Sequence, residues 1–205
     1  MKRLIDIVVS SLGIVLLTPV WIVAASLVKL TSRGPVFFRQ ERIGRDFRPF
    51  RIFKFRSMVQ DAPKQGSLVT FGADPRITRV GRFLRATKID ELPQLFNVLL
   101  GDMSLVGPRP EVRKYVEMFR DDYKEILRVR PGITDPASIK YRNEADILGR
   151  AADPEKEYVE RVLPEKIHLG KEYARNASLW LDFITILRTV HVVGRPEKVD
   201  LSQHE

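Results

Sequence analysis

The longest apolar stretch of the sequence lies at its N-terminal end, where residues 7–28 carry no charged side chain and are rich in Leu, Ile and Val. As a helix this run would reach about 33 Å, close to the thickness of the hydrocarbon core of a bilayer. Pro19 lies near its middle, where it removes a backbone donor, and the hydroxyl of Thr18 can bond a freed carbonyl. The pattern predicts a membrane segment with a helix break at Thr18-Pro19.

Three topologies fit this segment. Basic side chains flank it on both sides: Lys2, Arg3, Lys29, Arg33, Arg39 and Arg42. Because the positive-inside rule would keep both ends on the cytoplasmic side, a re-entrant hairpin satisfies it and a single span does not. A kinked spanning helix stays an alternative, since prolines are common in such helices. A signal peptide cleaved near Ala25 is disfavoured, because the apolar region is long for one and a basic chain without cysteine follows.

Beyond residue 33 the pattern becomes that of a soluble domain, which places the predicted boundary between a membrane segment at 1–33 and a second domain at 34–205. Short apolar runs predict strands at 36–40 and 51–55 with a turn at 45–49 between them, and residues 60–75 read as a loop. Helical periods with start and stop signals predict helices at 76–85, 90–100, 110–128, 154–174 and 179–192. The predicted fold class is α+β, rich in helix, with a small strand element and amphipathic helices.

The helix predicted at 179–192 has one apolar face, formed by Trp180, Phe183, Ile184, Leu187 and Val190. Such a face is typical of a helix that packs on a core. The alternative is a helix that lies in the membrane interface with Trp180 at headgroup level. It does not span a membrane, because Asp182 and Arg188 interrupt it.

Composition narrows the choice of partners. The 205 residues include 35 Lys and Arg against 26 Asp and Glu, a formal charge of +9, which favours an anionic partner such as lipid headgroups, phosphorylated substrates or nucleic acid. There is no cysteine, so disulfides and thiolate metal sites are excluded. Aromatic residues are not interleaved with the basic ones as a base-stacking surface requires, which argues against a membrane-tethered nucleic-acid-binding module.

The centre of the chain carries an adjacent acidic pair, Asp90-Glu91, where a helix is predicted to begin, since Pro93 is tolerated only in a first turn. Acidic residues at this place commonly cap free N–H groups and interact with the helix dipole. The same two carboxylates are also hard-oxygen ligands suited to Mg²⁺, which prefers carboxylates together with substrate phosphates. The residues alone leave capping and catalysis both open.

Cationic side chains are displayed on both sides of this pair in the sequence. Arg109 lies between Pro108 and Pro110, which fix the backbone and present a guanidinium able to bind phosphate in bidentate fashion. Upstream, Lys54 and Arg56 share one face of a predicted strand, which is either an anion-binding face or a solvated one. A further basic stripe recurs every third residue: Arg76, Arg79, Arg82 and Arg85.

Five runs together resemble the bacterial sugar transferase family, the monotopic phosphoglycosyl transferases. They are residues 54–58, 74–78, 90–98, 101–110 and 130–134, which read KFRSM, DPRIT, DELPQLFNV, GDMSLVGPRP and RPGIT. The likeness includes the proline-broken N-terminal helix, and the length is similar to that of small single-domain members without extra spans. The resemblance favours a catalytic role for Asp90-Glu91 and the hairpin topology with its break at Thr18-Pro19.

The resemblance implies an Mg²⁺-dependent enzyme of the bacterial inner membrane, with its catalytic domain on the cytosolic face. Such enzymes transfer a C1′-phosphosugar from a UDP-sugar to undecaprenyl phosphate and release UMP. The reaction is ping-pong, through a covalent phosphosugar-aspartate formed at the first residue of the dyad, here Asp90. Phosphate contacts are then expected from Lys54, Arg56, Arg85 and Arg109. A homodimer and contacts with anionic lipids are compatible with it.

One departure from the family pattern follows Gly132-Ile133-Thr134. Many members continue with Gly-Trp-Ala-Gln or a close variant, whereas this chain continues DPASIKYRNE at residues 135–144. This loop is a candidate for nucleotide or sugar recognition, with Arg142 and Asn143 as possible contacts. The departure leaves the identity of the sugar open.

Overall fold

The computed structural model describes residues 1–62, 70–72 and 74–194. The chain begins with two helices, α1 (Lys2–Leu16) and α2 (Thr18–Thr31), which meet at Leu17 with a bend of 62°. The break falls directly before Thr18 and Pro19, and the Thr18 hydroxyl donates to the carbonyl of Ile14 (3.0 Å). Within the described ranges, α1 and α2 have the length and hydropathy of a membrane span only when taken together across this bend.

The soluble part combines short strands with many short helices. Strands β1 (Phe37–Ile43) and β2 (Pro49–Phe55) pair antiparallel, whereas β3 (Ser104–Val106) and β4 (Gly132–Thr134) pair parallel. The helices that follow the hairpin are α3 (Arg79–Ala86), α4 (Gln94–Leu100), α5 (Arg113–Met118), α6 (Arg120–Ile126), α7 (Pro136–Lys140), α8 (Glu144–Gly149), α9 (Pro154–Glu157), α10 (Leu163–Asn176) and α11 (Leu179–Val193). A 3₁₀ turn precedes α4, and a π-helical turn joins α9 to α10.

The α+β, helix-rich class is confirmed, with several local corrections. The helix predicted at 110–128 is two helices, because the backbone leaves helical geometry at Phe119, whose side chain packs on the core. The helix expected from residue 90 begins at Gln94, and the helix expected from residue 76 begins at Arg79, so the four basic residues do not form one helical stripe. Residues 63–69 and 73 of the predicted 60–75 loop lie outside the described residues.

The main core lies among α5, α6, α10 and the π-helical turn. Its buried members include Tyr115, Val116, Ile126, Val162 and Leu163. A second, smaller cluster joins α2 to α3 and β2 through Val28, Phe55 and Leu84. Both N-terminal helices therefore pack on the rest of the chain, since α1 also contacts α4 and β3.

Helices α1 and α11 present polar residues inward and apolar residues outward. In α1 the buried residues are Asp6 and Ser10, and in α11 they are Asp182 and Thr185. Exposed apolar side chains on α11 include Trp180, Phe183, Leu187 and Val190, and Trp180 is 70% exposed. The core-helix interpretation of this segment is therefore wrong. An apolar face turned outward is the arrangement expected of a helix that meets lipid.

The inward polar groups connect α1 to α11 and to β3. We call this set of contacts, formed by Lys2, Asp6, Ser104, Tyr173 and Asp182, the seam. Lys2 Nζ contacts Asp182 Oδ2 at 2.5 Å and also bonds the carbonyl of Val106 (2.9 Å). The hydroxyl of Tyr173 meets the same Asp182 carboxylate. Four residues further along α1, Asp6 accepts from the Ser104 hydroxyl and the Leu105 N–H, each at 3.0 Å. These bonds satisfy the buried carboxylates, so the seam specifies how α1 packs against α11 and β3.

Replacing Asp182 with Ala is expected to lower the free energy of unfolding by about 2 kcal/mol, because the buried Tyr173 hydroxyl and the partly exposed Lys2 ammonium both lose this carboxylate. Thermal unfolding in detergent micelles measures the effect. The matched control is Asp121→Ala, which removes an exposed partner of Lys124 and should change stability little. Equal losses from the two variants would contradict the structural role of the seam.

Candidate active site

The acidic pair lies in a 3₁₀ turn, Ile89–Glu91, between α3 and α4. Lys88, just before it, has a left-handed backbone (φ 58°), a conformation that costs energy for a residue with a side chain. This kink ends α3 and turns the next residues inward, so that Asp90 is only 5% exposed. Strained backbone of this kind is common at functional sites.

Glu91 is held by two cations. Arg109 approaches it in bidentate fashion, with Nη1 at 3.1 Å from Oε2 and Nη2 in contact with Oε1, and Lys54 Nζ lies 2.7 Å from Oε1. Burial alone would raise the pKa of Glu91, but the charges of Arg109 and Lys54 outweigh it and hold this pKa well below its usual range. Glu91 is therefore ionised, and its charge raises the pKa of Arg109 in turn.

Asp90 has the opposite environment. Burial is the main cause that raises its pKa to about 6, and the neighbouring Glu91 charge adds to it, against the opposing charges of Lys54 and Arg85. Its Oδ1 is buried and makes no hydrogen bond with any described residue. The pair thus consists of one firmly ionised carboxylate and one carboxylate with a free oxygen and a shifted pKa, a contrast that often marks different chemical roles.

Arg109 is positioned by close backbone contacts. A Cβ on Gly107 would come within 2.3 Å of the Arg130 carbonyl, and a Cβ on Gly132 would come within 2.1 Å of the Gly107 nitrogen, so only glycine permits this approach. The Arg109 N–H donates to the Asp135 carboxylate at 3.3 Å. The arginine is therefore presented from a rigid segment, as its flanking prolines indicate.

Glu111, next to this segment, is anchored in the core. Its carboxylate accepts from the Tyr158 hydroxyl (2.7 Å) and the Val112 N–H (3.1 Å), and Arg42 and Lys166 lie within 4.0 Å. The supporting roles of Glu111 and Asp135 were not predicted from the sequence. For Glu111, the available sequence signal was its position directly after Pro110, next to the candidate arginine segment.

The other two basic candidates, Arg85 and Arg56, lie in different places relative to the acidic pair. Arg85 lies near the pair, and its Nε donates to the Ser57 hydroxyl at 2.8 Å. This contact depends on Gly81, because a Cβ there would come within 1.9 Å of the Ser57 carbonyl. Arg56, by contrast, donates to the Ser32 carbonyl and hydroxyl, each at 2.8 Å. It caps the C-terminal end of α2, so the structure gives it an anchoring contact and does not bring it to the acidic pair.

For the two candidates from the divergent loop the structure shows other positions than a contact with the pair. Arg142 Nη1 donates to the Val192 carbonyl of α11, and Asn143 immediately precedes α8. The residue that follows, Glu144, binds Lys166 at 2.7 Å. This loop therefore links α8 to α10 and α11.

The fit of a divalent cation rests on the acidic pair. Among residues 1–62, 70–72 and 74–194, no group of three or more His, Cys, Asp and Glu side chains is placed to hold a metal ion. The unpartnered Oδ1 of Asp90 is nevertheless a hard-oxygen ligand adjacent to Glu91. Two carboxylates suit Mg²⁺ when substrate phosphates and water supply its remaining ligands. Both oxygens of Glu91 already bind Arg109 or Lys54, so the open oxygen that the structure shows for such an ion is Asp90 Oδ1.

Comparison with known proteins gives consistent matches. The sequence profile of the family described as bacterial sugar transferase matches residues 1–196. The UDP-N-acetylgalactosamine-undecaprenyl-phosphate N-acetylgalactosaminephosphotransferase of Aeromonas hydrophila is 42% identical over 197 residues, which cover 94% of this chain and 43% of the relative. The UDP-glucose:undecaprenyl-phosphate glucose-1-phosphate transferase of Escherichia coli is 41% identical, over 93% of this chain and 39% of the relative.

A third relative, the undecaprenyl-phosphate galactose phosphotransferase of Salmonella typhimurium, is 35% identical over 95% of this chain and 40% of its own length. The chain thus spans about two fifths of the length of these three relatives. Their names carry three different sugars, so the likeness does not select one. The match to the family profile covers nearly the whole chain. The chain belongs to the bacterial sugar transferase family.

Proposed function

We propose that this protein transfers a sugar 1-phosphate from a UDP-sugar to undecaprenyl phosphate through a covalent intermediate on Asp90. The observation that carries the proposal is the unequal acidic pair: Glu91 is neutralised by Arg109 and Lys54, while Asp90 keeps a free oxygen. A carboxylate whose pKa is about 6 is ionised at neutral pH and more basic than an ordinary carboxylate, hence a better nucleophile.

In the first step, an ionised Asp90 oxygen attacks the β-phosphorus of the UDP-sugar. A bond forms between that oxygen and phosphorus, and the bond from phosphorus to the bridging oxygen breaks, so that UMP leaves with the bridging oxygen. In the second step, a phosphate oxygen of the lipid attacks the same phosphorus. The acyl-phosphate bond breaks, Asp90 is regenerated as a carboxylate, and the product is a lipid-linked diphosphosugar.

The surrounding cations support this chemistry, because phosphoryl transfer depends mainly on positioning and charge neutralisation. Arg109 and Lys54 bind Glu91, and the charges of Lys54 and Arg85 act on Asp90. A Mg²⁺ ion held by Asp90 and Glu91 would neutralise charge on the diphosphate. Arg56 is not included among the phosphate contacts, because it caps α2.

The test is UMP release by the purified protein with Mg²⁺, undecaprenyl phosphate and each of three donors: UDP-glucose, UDP-galactose and UDP-N-acetylgalactosamine. We expect release with at least one donor. Without lipid phosphate, UMP should appear in a burst of about one equivalent per enzyme, with the phosphosugar retained on the protein. Release that depends fully on lipid phosphate would exclude the covalent route, and no release from any donor would overturn the proposed activity.

We further propose that the bent pair α1–α2 is a re-entrant hairpin and that α11 lies in the same membrane surface, at the cytosolic face of the bacterial inner membrane. Two observations support this. Both α1 and α11 expose apolar side chains, and the Lys2–Asp182 contact holds the two helices together, so that both can meet the same membrane surface. Basic side chains at both ends of the hairpin would meet anionic headgroups. The two substrates, one soluble and one lipid, then reach one interfacial site in turn.

The double substitution of Trp180 and Phe183 with Glu is expected to reduce binding to vesicles that contain anionic lipid several-fold, because it places charges on a face that would be buried in the interface. The hairpin should retain part of the binding. Met118→Glu is the control, since Met118 is similarly exposed but lies on α5. Flotation with vesicles measures both, and unchanged binding by the double variant would exclude α11 from the membrane contact.

A further inference from the structure

One face of the β1–β2 hairpin is turned towards the acidic pair. Phe38 and Lys54 lie directly opposite each other in the antiparallel register, so their side chains project from the same face, with Cβ atoms about 4.5–5.5 Å apart. Lys54 Nζ reaches Glu91 at 2.7 Å, which places this face beside the pair. Phe38 therefore lies next to a cation of the candidate active site.

The half-buried ring of Phe38 is not used for packing. Within the described ranges it pairs with no other ring and packs against none of the buried apolar clusters. Its neighbour Phe37, on the opposite face of β1, stacks on Phe55 with ring centroids 5.4 Å apart. The hairpin thus presents an aromatic surface at Phe38, beside Lys54.

Gln40 lies on the same face, two residues further along β1, and its amide is oriented by Arg42. Arg42 Nη2 donates to Gln40 Oε1 at 2.8 Å. Because a guanidinium has donors and no acceptor, this bond fixes which end of the amide faces Arg42. The Gln40 amide nitrogen makes no hydrogen bond with any described residue. The face therefore presents a hydrogen-bond donor of fixed orientation.

Arg42 is itself held next to the arginine segment of the site. Its Nη1 donates to the Pro110 carbonyl (3.2 Å) and lies 3.5 Å from Glu111 Oε2. Pro110 directly follows Arg109, which binds Glu91. The face that carries the oriented amide is therefore joined to the segment that presents the arginine.

We propose that Phe38 and Gln40 form the subsite for the uracil base of the donor: the ring of Phe38 stacks on the base, and the Gln40 amide donates to its O4. This inference rests on the proposed function, because it places the base of the UDP-sugar whose diphosphate meets Lys54 and Arg109. The base extends from the diphosphate onto the surface beside those cations. Stacking on Phe38 adds affinity without choosing between bases, because every base has a π-face.

The choice between bases comes from the Gln40 amide. Uracil has a carbonyl acceptor at position 4, whereas cytosine has an amino donor there. A donor held towards position 4 binds uracil, but with cytosine it leaves two donors facing each other. Turning the amide over would not relieve this conflict, because its nitrogen would then face the donors of Arg42. The Gln40–Arg42 pair therefore selects uracil over cytosine.

Isothermal titration calorimetry with UDP and with CDP, each with Mg²⁺, tests the subsite without requiring transfer. We expect the wild type to bind UDP about 10- to 100-fold more tightly than CDP. Gln40→Glu replaces the donor with an acceptor, so the ratio of the two Kd values should fall by about tenfold or more. Repulsion between the new charge and the diphosphate acts on both ligands and cancels in this ratio. Phe38→Ala should weaken UDP and CDP alike, by about 5- to 100-fold.

Glu41→Gln is the matched control, because Glu41 is exposed on the opposite face of β1 and pairs with the exposed Arg113. It should change neither Kd. Equal affinity of the wild type for UDP and CDP, or no binding of UDP, would overturn the inference, and this comparison needs no variant. An unchanged ratio for Gln40→Glu, or unchanged affinities for Phe38→Ala, would also overturn it. The proposed function fails separately, if the protein binds UDP selectively but releases no UMP from any UDP-sugar.

Discussion

Replacing Asp90 with Asn is expected to abolish transfer and at the same time to stabilise the protein. Transfer is lost because the amide does not form the acyl phosphate, so no phosphosugar adduct is trapped. Stability rises because the fold raises the pKa of Asp90 from 3.8 to about 6, mainly by burial. At neutral pH the ionised group therefore costs the folded state about 3 kcal/mol, which the neutral amide removes.

The sign of the pH dependence follows from the raised pKa. Between pH 3.8 and about 6 the folded protein binds more protons at Asp90 than the unfolded chain, so the contribution of this group to stability falls as pH rises. The gain from Asp90→Asn should be full at pH 7.5 and about half as large near pH 5. Thermal unfolding in EDTA measures it without a bound metal ion.

Asp146→Asn is the control for Asp90, because Asp146 is an exposed carboxylate on α8. It should leave both transfer and Tm nearly unchanged. A robust rate for the Asp90 variant would end the assignment of the nucleophile. A stability gain that does not shrink as pH falls would instead show that burial of the charge is not its cause.

The second large effect is expected from Arg109→Ala. This change leaves the buried Glu91 carboxylate with Lys54 as its remaining cation and removes a guanidinium that is proposed to contact the reacting phosphates. Transfer should fall by about 10²- to 10³-fold, and the free energy of unfolding should fall by about 3 kcal/mol. Vesicle binding should not change, because Arg109 belongs to neither α1 nor α11, the helices whose apolar faces are proposed to meet the lipid.

Two further variants separate charge from geometry at Arg109. Arg109→Lys keeps the charge but not the bidentate contact, so it should restore stability more than activity. Arg113→Ala removes an exposed partner of Glu41 and should have little effect on either. UMP release and thermal unfolding, measured on all three variants, test the assignment. Wild-type transfer by Arg109→Ala would exclude it from the site.

Local sequence signals predicted much of the fold. The proline in an apolar run predicted a broken N-terminal helix, and the break lies at Leu17. Two short strands on either side of a turn were also predicted, and the structure pairs them as β1 and β2. The parallel pair β3–β4 was missed, because each strand has three residues, too few for a period to be read. Helices α7 and α8 were missed for the same reason.

The site was predicted in part, because its chemistry depends on tertiary contacts. The sequence singled out Asp90-Glu91 and Arg109, and the structure brings Arg109 and Lys54 onto Glu91. It did not indicate which carboxylate is ion-paired, since that follows from the turn at Lys88. Arg56 shares a motif with Lys54 but turns to α2, and a strand pattern alone does not distinguish these two destinations.

The Lys2–Asp182 contact also has a mechanical consequence. It joins the start of α1 to α11, so in the proposed membrane arrangement the two helices would move together and would not change depth independently. A force that lifts α11 from the bilayer would then also pull on α1. The height of Asp90 relative to the headgroups would be set by both helices, and the proposed nucleophile would stay at one level while soluble and lipid substrates exchange.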